Sequence, residues 1–285
     1  MKALTTSVVL CSAWLVMVAI SDSGKPQAPP QSAESAHTGS GATRAAEGEY
    51  EVYEEGSGGA VGPFGEEVYE FHESWTLLRE PEGGYRVEGE RRFKTGKTKE
   101  PVQARFAVQL SRDLTVLSVT EFSKLKWIAD SGPLTCHFLS TEMRCSAGGK
   151  KAEASKTWRF DVQHPYGFLW PISPFSLGSV ARESERDTEI VTRVSLISIE
   201  QPSSQSPVSP LILTGRLRYL GVEAVTAAGR SWDAYKFSIK VPLHPKFLVW
   251  TSKKGLLLAL AVEHQHADWP KEGLRLVRFQ AFSDF

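Results

Sequence analysis

The chain lacks an excess of charge of either sign, and it contains little cysteine. It carries 33 basic and 33 acidic residues among 285, so no overall field would draw it to nucleic acid or to an anionic membrane. Cysteine occurs three times. No second Cys or His pair stands at zinc-ligand spacing near Cys136 and Cys145, so we expect no structural zinc site there.

Sequence signatures of catalysis and of nucleotide binding are also lacking. There is no Gly-x-Ser-x-Gly elbow, and Gly96-Lys97-Thr98 has no glycine at the upstream distance that a phosphate-binding loop needs. The lone histidines His72, His137 and His164 have no evident Ser or Cys partner. The sequence therefore predicts a non-catalytic protein without a cofactor.

The chain has one uncharged hydrophobic run near its start, and this run is short. Lys2 precedes Val8 to Ile20, roughly 13 residues, which is the length of a secretory signal core and less than the ~20 of a membrane span. We expect residues 1–21 to be a signal peptide cleaved after Ser21. An uncleaved anchor is the alternative. The prediction places the mature protein in the periplasm or cell envelope, with membrane contact only during export.

Large apolar residues are almost missing from 22–48, which is rich in Ser, Gly, Ala, Pro, Gln and Glu. Such a segment buries too little apolar surface to offset the entropy of ordering. We expect a disordered linker there, followed by a single antiparallel β domain over 49–285, a length that one core can serve.

Short alternating segments are what this domain does contain. Apolar and polar residues alternate from Tyr235 to Val241, so one face of a strand would pack on a core while the other meets water. Phe247–Thr251 and Leu256–Val262 flank Ser252–Gly255, where Gly255 can take the positive φ of a bulged hairpin. Further strands are predicted at Tyr50–Tyr53, Glu67–Phe71, Trp75–Leu78, Tyr85–Gly89, Val102–Leu110, Leu114–Trp127, Ala154–Val162, Glu189–Glu200 and from Leu211.

Cys136 and Cys145 flank Leu139-Ser140-Thr141-Glu142. A hairpin that turns at Ser140-Thr141 pairs Leu139 with Glu142 and therefore Cys136 with Cys145. In that register the cysteines occupy a non-hydrogen-bonded pair, where Cα atoms approach to ~4.5 Å. Together with export, this register predicts a disulfide.

The most apolar stretch without strand character runs from Tyr166 to Phe175. Ser173 is a suitable N-cap with Pro174 at the first helical position, so a short helix could reach about Ala181. The segment is either a plug that fills one end of a barrel or curved sheet, or a lid over an apolar cavity.

Several short motifs together resemble uncharacterised bacterial families of exported domains of unknown function. They are Tyr50-x-Val52 with Gly65 and Glu67, Leu217-x-Tyr219-x-Gly221-x-Glu223-x-Val225, Gly229, Tyr235-x-Phe237, Phe247-Leu248-Val249-Trp250 and Gly255-Leu256-Leu257. Those families are similar in fold to the half-barrel lipoprotein-localisation carriers. The resemblance implies a large curved antiparallel sheet, half-barrel or barrel-like, around a short helical or loop plug, and it implies no catalytic residues.

A concave sheet face of this kind could bind a lipid, an acyl chain or an envelope protein partner. The predicted apolar wall consists of aromatic residues: Phe168, Trp170, Phe175, Tyr219, Tyr235, Phe237 and Trp250.

Two other functions stay open as alternatives. His264-x-His266-x-Asp268 follows a strand, so period two aims the three side chains to one side, as in a zinc-dependent hydrolase. Trp269 stands where that motif needs a further His.

A small outer-membrane barrel is the other alternative, because Phe285, Phe279 and Val277 share one alternation. Charges on both faces of the predicted strands argue against it, among them Glu67, Glu70 and Glu73.

Overall fold

The computed structural model describes residues 41–55, 68–95, 102–123, 133–139, 142–147, 154–159, 174–175, 188–195, 211–240, 246–263 and 271–283. In these ranges all regular secondary structure is β-strand. No helix in this part of the chain has the length and apolar character to cross a membrane. The predicted signal peptide and most of the predicted linker lie outside the described residues.

Within the described ranges, fourteen strands form one sheet. They are β1 (Thr43–Glu55), β2 (Val68–Arg79), β3 (Tyr85–Thr95), β4 (Val102–Leu110), β5 (Val116–Ser123), β6 (Leu134–Leu139), β7 (Glu142–Ala147), β8 (Ala154–Arg159), β9 (Thr188–Ser195), β10 (Leu211–Ala227), β11 (Arg230–Lys240), β12 (Lys246–Thr251), β13 (Leu257–Glu263) and β14 (Lys271–Ala281).

The sheet consists of two antiparallel meanders joined by one long-range pairing. Strands β1 to β8 follow one another on one side and β14 to β9 on the other, with β1 bonded to β14. Among the described residues β8 and β9 are the two edges, so the sheet is not closed into a barrel. The backbone N–H of Ala228 nevertheless donates to the carbonyl of Leu276 at 2.9 Å. Ala228 follows β10, and Leu276 belongs to β14. Because β11, β12 and β13 lie between these two strands in the sheet, the sheet must curve for this bond to form, as predicted.

One face of the sheet, here called the inner face, carries the hydrophobic core. Two rows of directly paired residues cross this face and meet at β1. Cys145, Cys136, Val119, Val108, Val87, Leu77 and Ala46 form the first row. Tyr219, Phe237, Val249, Leu260, Leu274 and Val52 form the second. Most of these side chains are fully buried, so loss of apolar surface to water stabilises the curved sheet.

Strand β1 begins at Thr43, inside the predicted linker over 22–48, and this corrects the predicted domain start at 49. The first residues of β1 do not resemble a strand in the sequence because several of them are small. Ala45 and Ala46 are buried, and a Cβ added to Gly48 would lie 2.6 Å from a ring carbon of Trp75. Gly48 therefore has no side chain because the Trp75 indole occupies the space that a Cβ would fill.

Strand β2 is one continuous element where the sequence predicts two, Glu67–Phe71 and Trp75–Leu78. The apolar alternation is interrupted by Glu73, which occupies an inner-face position and is 1% exposed. A charged residue at a core position hides the continuity of the strand from a pattern based on hydrophobicity.

Three of the hairpins share one turn geometry. In each, the first turn residue accepts a hydrogen bond from the residue three positions later, and that residue has positive φ: Gly83 (94°), Leu114 (63°) and Gly255 (82°). The predicted role of Gly255 is confirmed. Leu114 was not expected there, since a left-handed backbone disfavours a side chain, but its side chain is buried in the core.

The cysteine hairpin is confirmed in every predicted pair. Leu139 pairs with Glu142, and Cys136 pairs with Cys145. The two cysteines form a disulfide with a Cα–Cα distance of 4.0 Å. It lies at the end of the first row of the inner face, where both residues are buried.

Candidate functional site

An aromatic cluster occupies the inner face near the junction of β1, β2 and β14. Trp75 lies at its centre, with ring centroids 6.3 Å from Tyr50, 6.0 Å from Phe175 and 6.3 Å from Phe279. Trp232 packs edge-on against Phe279 at 5.6 Å. Tyr50, Trp75 and Phe175 are buried, whereas Trp232 and Phe279 are partly buried at the border of the core. We call these five residues the aromatic cluster.

The place of Phe279 in this cluster depends on a β-bulge that the sequence does not reveal. The register of β1 and β14 shifts so that Glu49 pairs with Arg278 but Tyr50 pairs with Leu276. The bulge breaks the alternation predicted for Val277 and Phe279. Phe279 pairs with Gly48 and therefore shares the inner face with Trp75.

Three of the predicted wall residues form a second aromatic group. Tyr219 lies 5.5 Å from Phe237 and 6.0 Å from Tyr235 between ring centroids. Phe237 is completely buried, while both tyrosines are only partly buried. The structure thus brings Tyr219, Tyr235 and Phe237 together on the β10–β11 hairpin, and we call them the three-ring group.

Trp250 does not belong to that wall. It alternates with Val249 and Thr251, both buried, and it stands opposite Lys236. The Lys236 ammonium lies 5.2 Å from the centroid of the indole, and it forms an ion pair with Glu223 at 2.7 Å. Nζ of Lys236 also donates a hydrogen bond to the Glu223 carboxyl, and this bond is the main cause of the lowered pKa of that carboxyl. The Trp250 indole lowers the same pKa further. The sequence placed Trp250 on the concave face because it is aromatic, but strand alternation places it on the other side.

The predicted plug reaches the inner face at Phe175. Among residues 166–181, the structure describes Pro174 and Phe175, which form a turn; Phe168, Trp170 and the rest of the predicted helix lie outside the described residues. The backbone N–H of Leu257 donates to the Pro174 carbonyl at 2.7 Å, and Phe175 packs on Trp75. Phe175 therefore fills space at the end of the sheet where β13 begins.

A buried ion pair lies beside the aromatic cluster. Nε of Arg91 donates to Oε2 of Glu73 at 2.8 Å, and both side chains are almost fully buried. The two residues are direct cross-strand partners on β2 and β3, and the guanidinium lies 4.4 Å from the centroid of Phe106. Arg91 stands beside Arg92 and Lys94 in the sequence, and such a basic run is typical of a solvated surface. The signal that could have located the pair is the opposite charge of two residues in register.

The hydroxyl of Tyr50 is the next polar group in this region. It donates to the carbonyl of Leu257 at 2.9 Å, and Tyr50 is the cross-strand partner of Glu73. Burial raises the pKa of the phenol well above its ordinary value, and the negative charge of Glu73 raises it further. Tyr50 is therefore a protonated hydrogen-bond donor at neutral pH. We call Tyr50, Glu73, Trp75 and Arg91 the polar corner of the inner face.

Arg230 covers the exposed side of the aromatic cluster. Its guanidinium lies 3.8 Å from the centroid of Trp232 and 4.8 Å from that of Phe279. Arg230 follows the two-residue turn Ala228-Gly229, in which both residues have positive φ, the geometry of a type I′ hairpin. Arg230 was not predicted from the sequence to lie at a site.

The residues of the zinc alternative, His264, His266 and Asp268, lie outside the described residues. Within the described ranges, no group of three or more His, Cys, Asp or Glu side chains could hold a metal ion. His137 is exposed on β6, and Nε2 of His72 lies 3.6 Å from Glu49.

Comparisons with known proteins give likenesses of fold. No family model and no curated protein matches the chain. It is similar to the solved structure of a beta-barrel-like protein of the domain of unknown function DUF1849 from Brucella abortus, with 8% identity, a TM-score of 0.49, and coverage of 84% of this chain and 98% of that one. It is also similar to a DUF1089 family protein from Pseudomonas aeruginosa, with 14% identity, a TM-score of 0.39, and coverage of 65% and 87%. Both are domains of unknown function, the kind of protein that the sequence motifs resemble.

Proposed function

We propose that the protein is an exported, non-catalytic component of the cell envelope whose inner sheet face binds a hydrophobic ligand such as a lipid or an acyl chain. An envelope protein that inserts an apolar segment into the same face is the alternative occupant.

The observation that carries the proposal is the incomplete burial of aromatic rings on and beside the inner face. Tyr219, Tyr235, Trp232 and Phe279 border the core but remain partly open, and Phe237 beside them is fully buried. A ligand that covers such rings removes apolar surface from water, which contributes roughly 25 cal/mol per Å². Apolar walls of this kind, with few polar groups, are typical of ligand sites.

The opposite face of β1 and β14 is suited to water. Arg278 forms ion pairs with Glu47 at 3.2 Å and with Glu49 at 2.5 Å, and Arg44 contacts Glu47 at 3.2 Å. Charges at the middle of a lipid-facing surface cost several kcal/mol each. This network therefore favours a water-facing outer surface over the outer-membrane alternative.

Export is supported by two independent features. The hydrophobic run from Val8 to Ile20 has the length of a signal core. The disulfide between Cys136 and Cys145 is of a kind that persists mainly in oxidising compartments.

Ligand binding is tested with the full chain and the neutral fluorophore N-phenylnaphthylamine, whose emission rises in apolar surroundings. We expect saturable binding that Tyr235→Ala weakens about tenfold, since a partly open ring of the three-ring group is lost. Leu139→Ala, which removes an apolar side chain of 43% exposure on β6, is the matched control and should bind like wild type. Absence of saturable binding by folded wild-type protein would refute the proposal.

A further inference from the structure

We propose that the polar corner is a subsite for an uncharged carbonyl oxygen, so that the preferred ligand is an acyl ester or amide rather than a free fatty acid or a plain hydrocarbon. The inference rests on the proposed function and specifies its ligand class.

The polar corner lies within an otherwise apolar surface. Glu73 and Trp75 are two residues apart on β2, and both point to the inner face. Tyr50 and Arg91 are the direct partners of Glu73 on the two neighbouring strands. A buried ion pair generally stabilises a fold no better than apolar side chains of similar volume would. Packing alone therefore does not explain why charged groups stand here.

Two hydrogen-bond donors of the polar corner have acceptors within the protein. The hydroxyl of Tyr50 is bonded to Leu257 and Nε of Arg91 is bonded to Glu73. The indole Nε1 of Trp75, by contrast, is buried and has no hydrogen-bond partner among the described residues, while the residue as a whole is 3% exposed. A buried donor without an acceptor costs about 1–3 kcal/mol and calls for an explanation. An oxygen atom of a bound ligand would supply the acceptor.

The charges of the polar corner favour an uncharged ligand oxygen. Glu73 and Arg91 neutralise each other, and Tyr50 is a neutral phenol in this environment. A ligand carboxylate would place a second anion beside Glu73, and it would lose its hydration. The carbonyl of an ester or amide accepts from a neutral N–H at much smaller desolvation cost.

The test compares three ligands of equal chain length: methyl palmitate, palmitic acid and hexadecane. Each displaces N-phenylnaphthylamine from the full-length protein. We expect the ester to bind about five- to tenfold more tightly than hexadecane, the effect of one hydrogen bond, and more tightly than the acid. In Trp75→Phe the preference for the ester over hexadecane should vanish, because the ring remains aromatic but the donor is gone.

Trp250→Phe is the matched control, because strand alternation places Trp250 on the other side of the sheet from the three-ring group. It should keep the preference for the ester. An equal affinity of wild type for ester and hexadecane, or a preference for the acid, would overturn the subsite and leave the proposed function standing. Failure of wild type to bind any of the ligands would overturn both.

A second readout serves if Trp75→Phe does not fold. In wild-type protein, the indole proton resonance of Trp75 should move downfield on addition of methyl palmitate, as expected for a new hydrogen bond, and should not do so with hexadecane. An unmoved resonance at saturating ester would contradict the subsite.

Discussion

At the scale of single residues, the inner face combines strong burial with a few polar groups whose positions depend on register. At Leu114, the burial of the side chain competes with an unfavourable backbone conformation. It occupies the left-handed position that glycine fills in the two comparable hairpins, and it costs roughly 1 kcal/mol in backbone energy. Its side chain is buried, which contributes about 1.5–3 kcal/mol. Burial outweighs the backbone cost, so leucine is tolerated there.

Tyr50 provides the pH prediction at this scale. Because its pKa is raised in the folded protein, the unfolded state loses the phenolic proton first as the pH rises above about 10. The protonated phenol of Tyr50 therefore contributes to the free energy of unfolding. This contribution is present in full below about pH 10 and is lost as the pH increases towards the folded-state pKa, by up to about 1.4 kcal/mol per pH unit.

In Tyr50→Phe we expect about 1 kcal/mol lower stability at pH 7, since the hydrogen bond to Leu257 is lost. Above pH 10 the variant should lose stability less steeply than wild type. Urea unfolding at pH 7, 10 and 11 measures both effects. Parallel stability curves for the two proteins above pH 10 would show that Tyr50 is not the titrating group.

At the scale of elements, hairpins with local register were predictable and the plug was predictable only in part. The pairing of Cys136 with Cys145 follows from counting outward from a two-residue turn. The position of Phe175 does not follow from such local counting. It depends on Trp75, Tyr50 and Leu257, which come from three different strands. The sequence marked 166–175 as apolar and favoured a plug, with a lid as the alternative.

Phe175→Ala separates these two options. If the segment is a plug, removal of this fully buried ring should lower the free energy of unfolding by about 3–5 kcal/mol. Phe282→Ala, which truncates a phenylalanine of 44% exposure, is the control and should change stability by less than about 1 kcal/mol. Thermal and urea unfolding of both variants measure this. A Phe175→Ala protein with unchanged stability and weakened binding of N-phenylnaphthylamine would identify a lid instead.

At the scale of the whole molecule, one pairing holds the two meanders together. Neighbouring strands in each meander are also neighbours in sequence, whereas β1 and β14 pair Glu47 with Gln280 and Glu55 with Lys271. Closing so long a loop costs conformational entropy before any contact forms. The long antiparallel ladder between β1 and β14, with the aromatic cluster packed on it, offsets that cost.

A chain that ends before Lys271 should therefore lose more than one strand. Without β14, the backbone groups of β1 and β13 lose their partners, and Tyr50 and Trp75 lose the cover of Leu276 and Phe279. We expect an aggregation-prone product without a cooperative unfolding transition. A chain shortened only after Ala281 retains all fourteen strands and is the control. Cooperative unfolding of the shorter chain would contradict this role of β14.

What the sequence by itself determined is local. Period-two alternation and short turns indicated an antiparallel β protein, the strand Val102–Leu110 to the residue, the positive φ of Gly255 and the cysteine register. These features depend on residues a few positions apart. Only the tertiary structure decided that β1 starts at Thr43, that Trp250 faces away from the three-ring group, and that Glu73 meets Arg91. The reason is physical: each of these depends on which distant strands pair and in which register, and a shift by one residue would move every side chain to the other face.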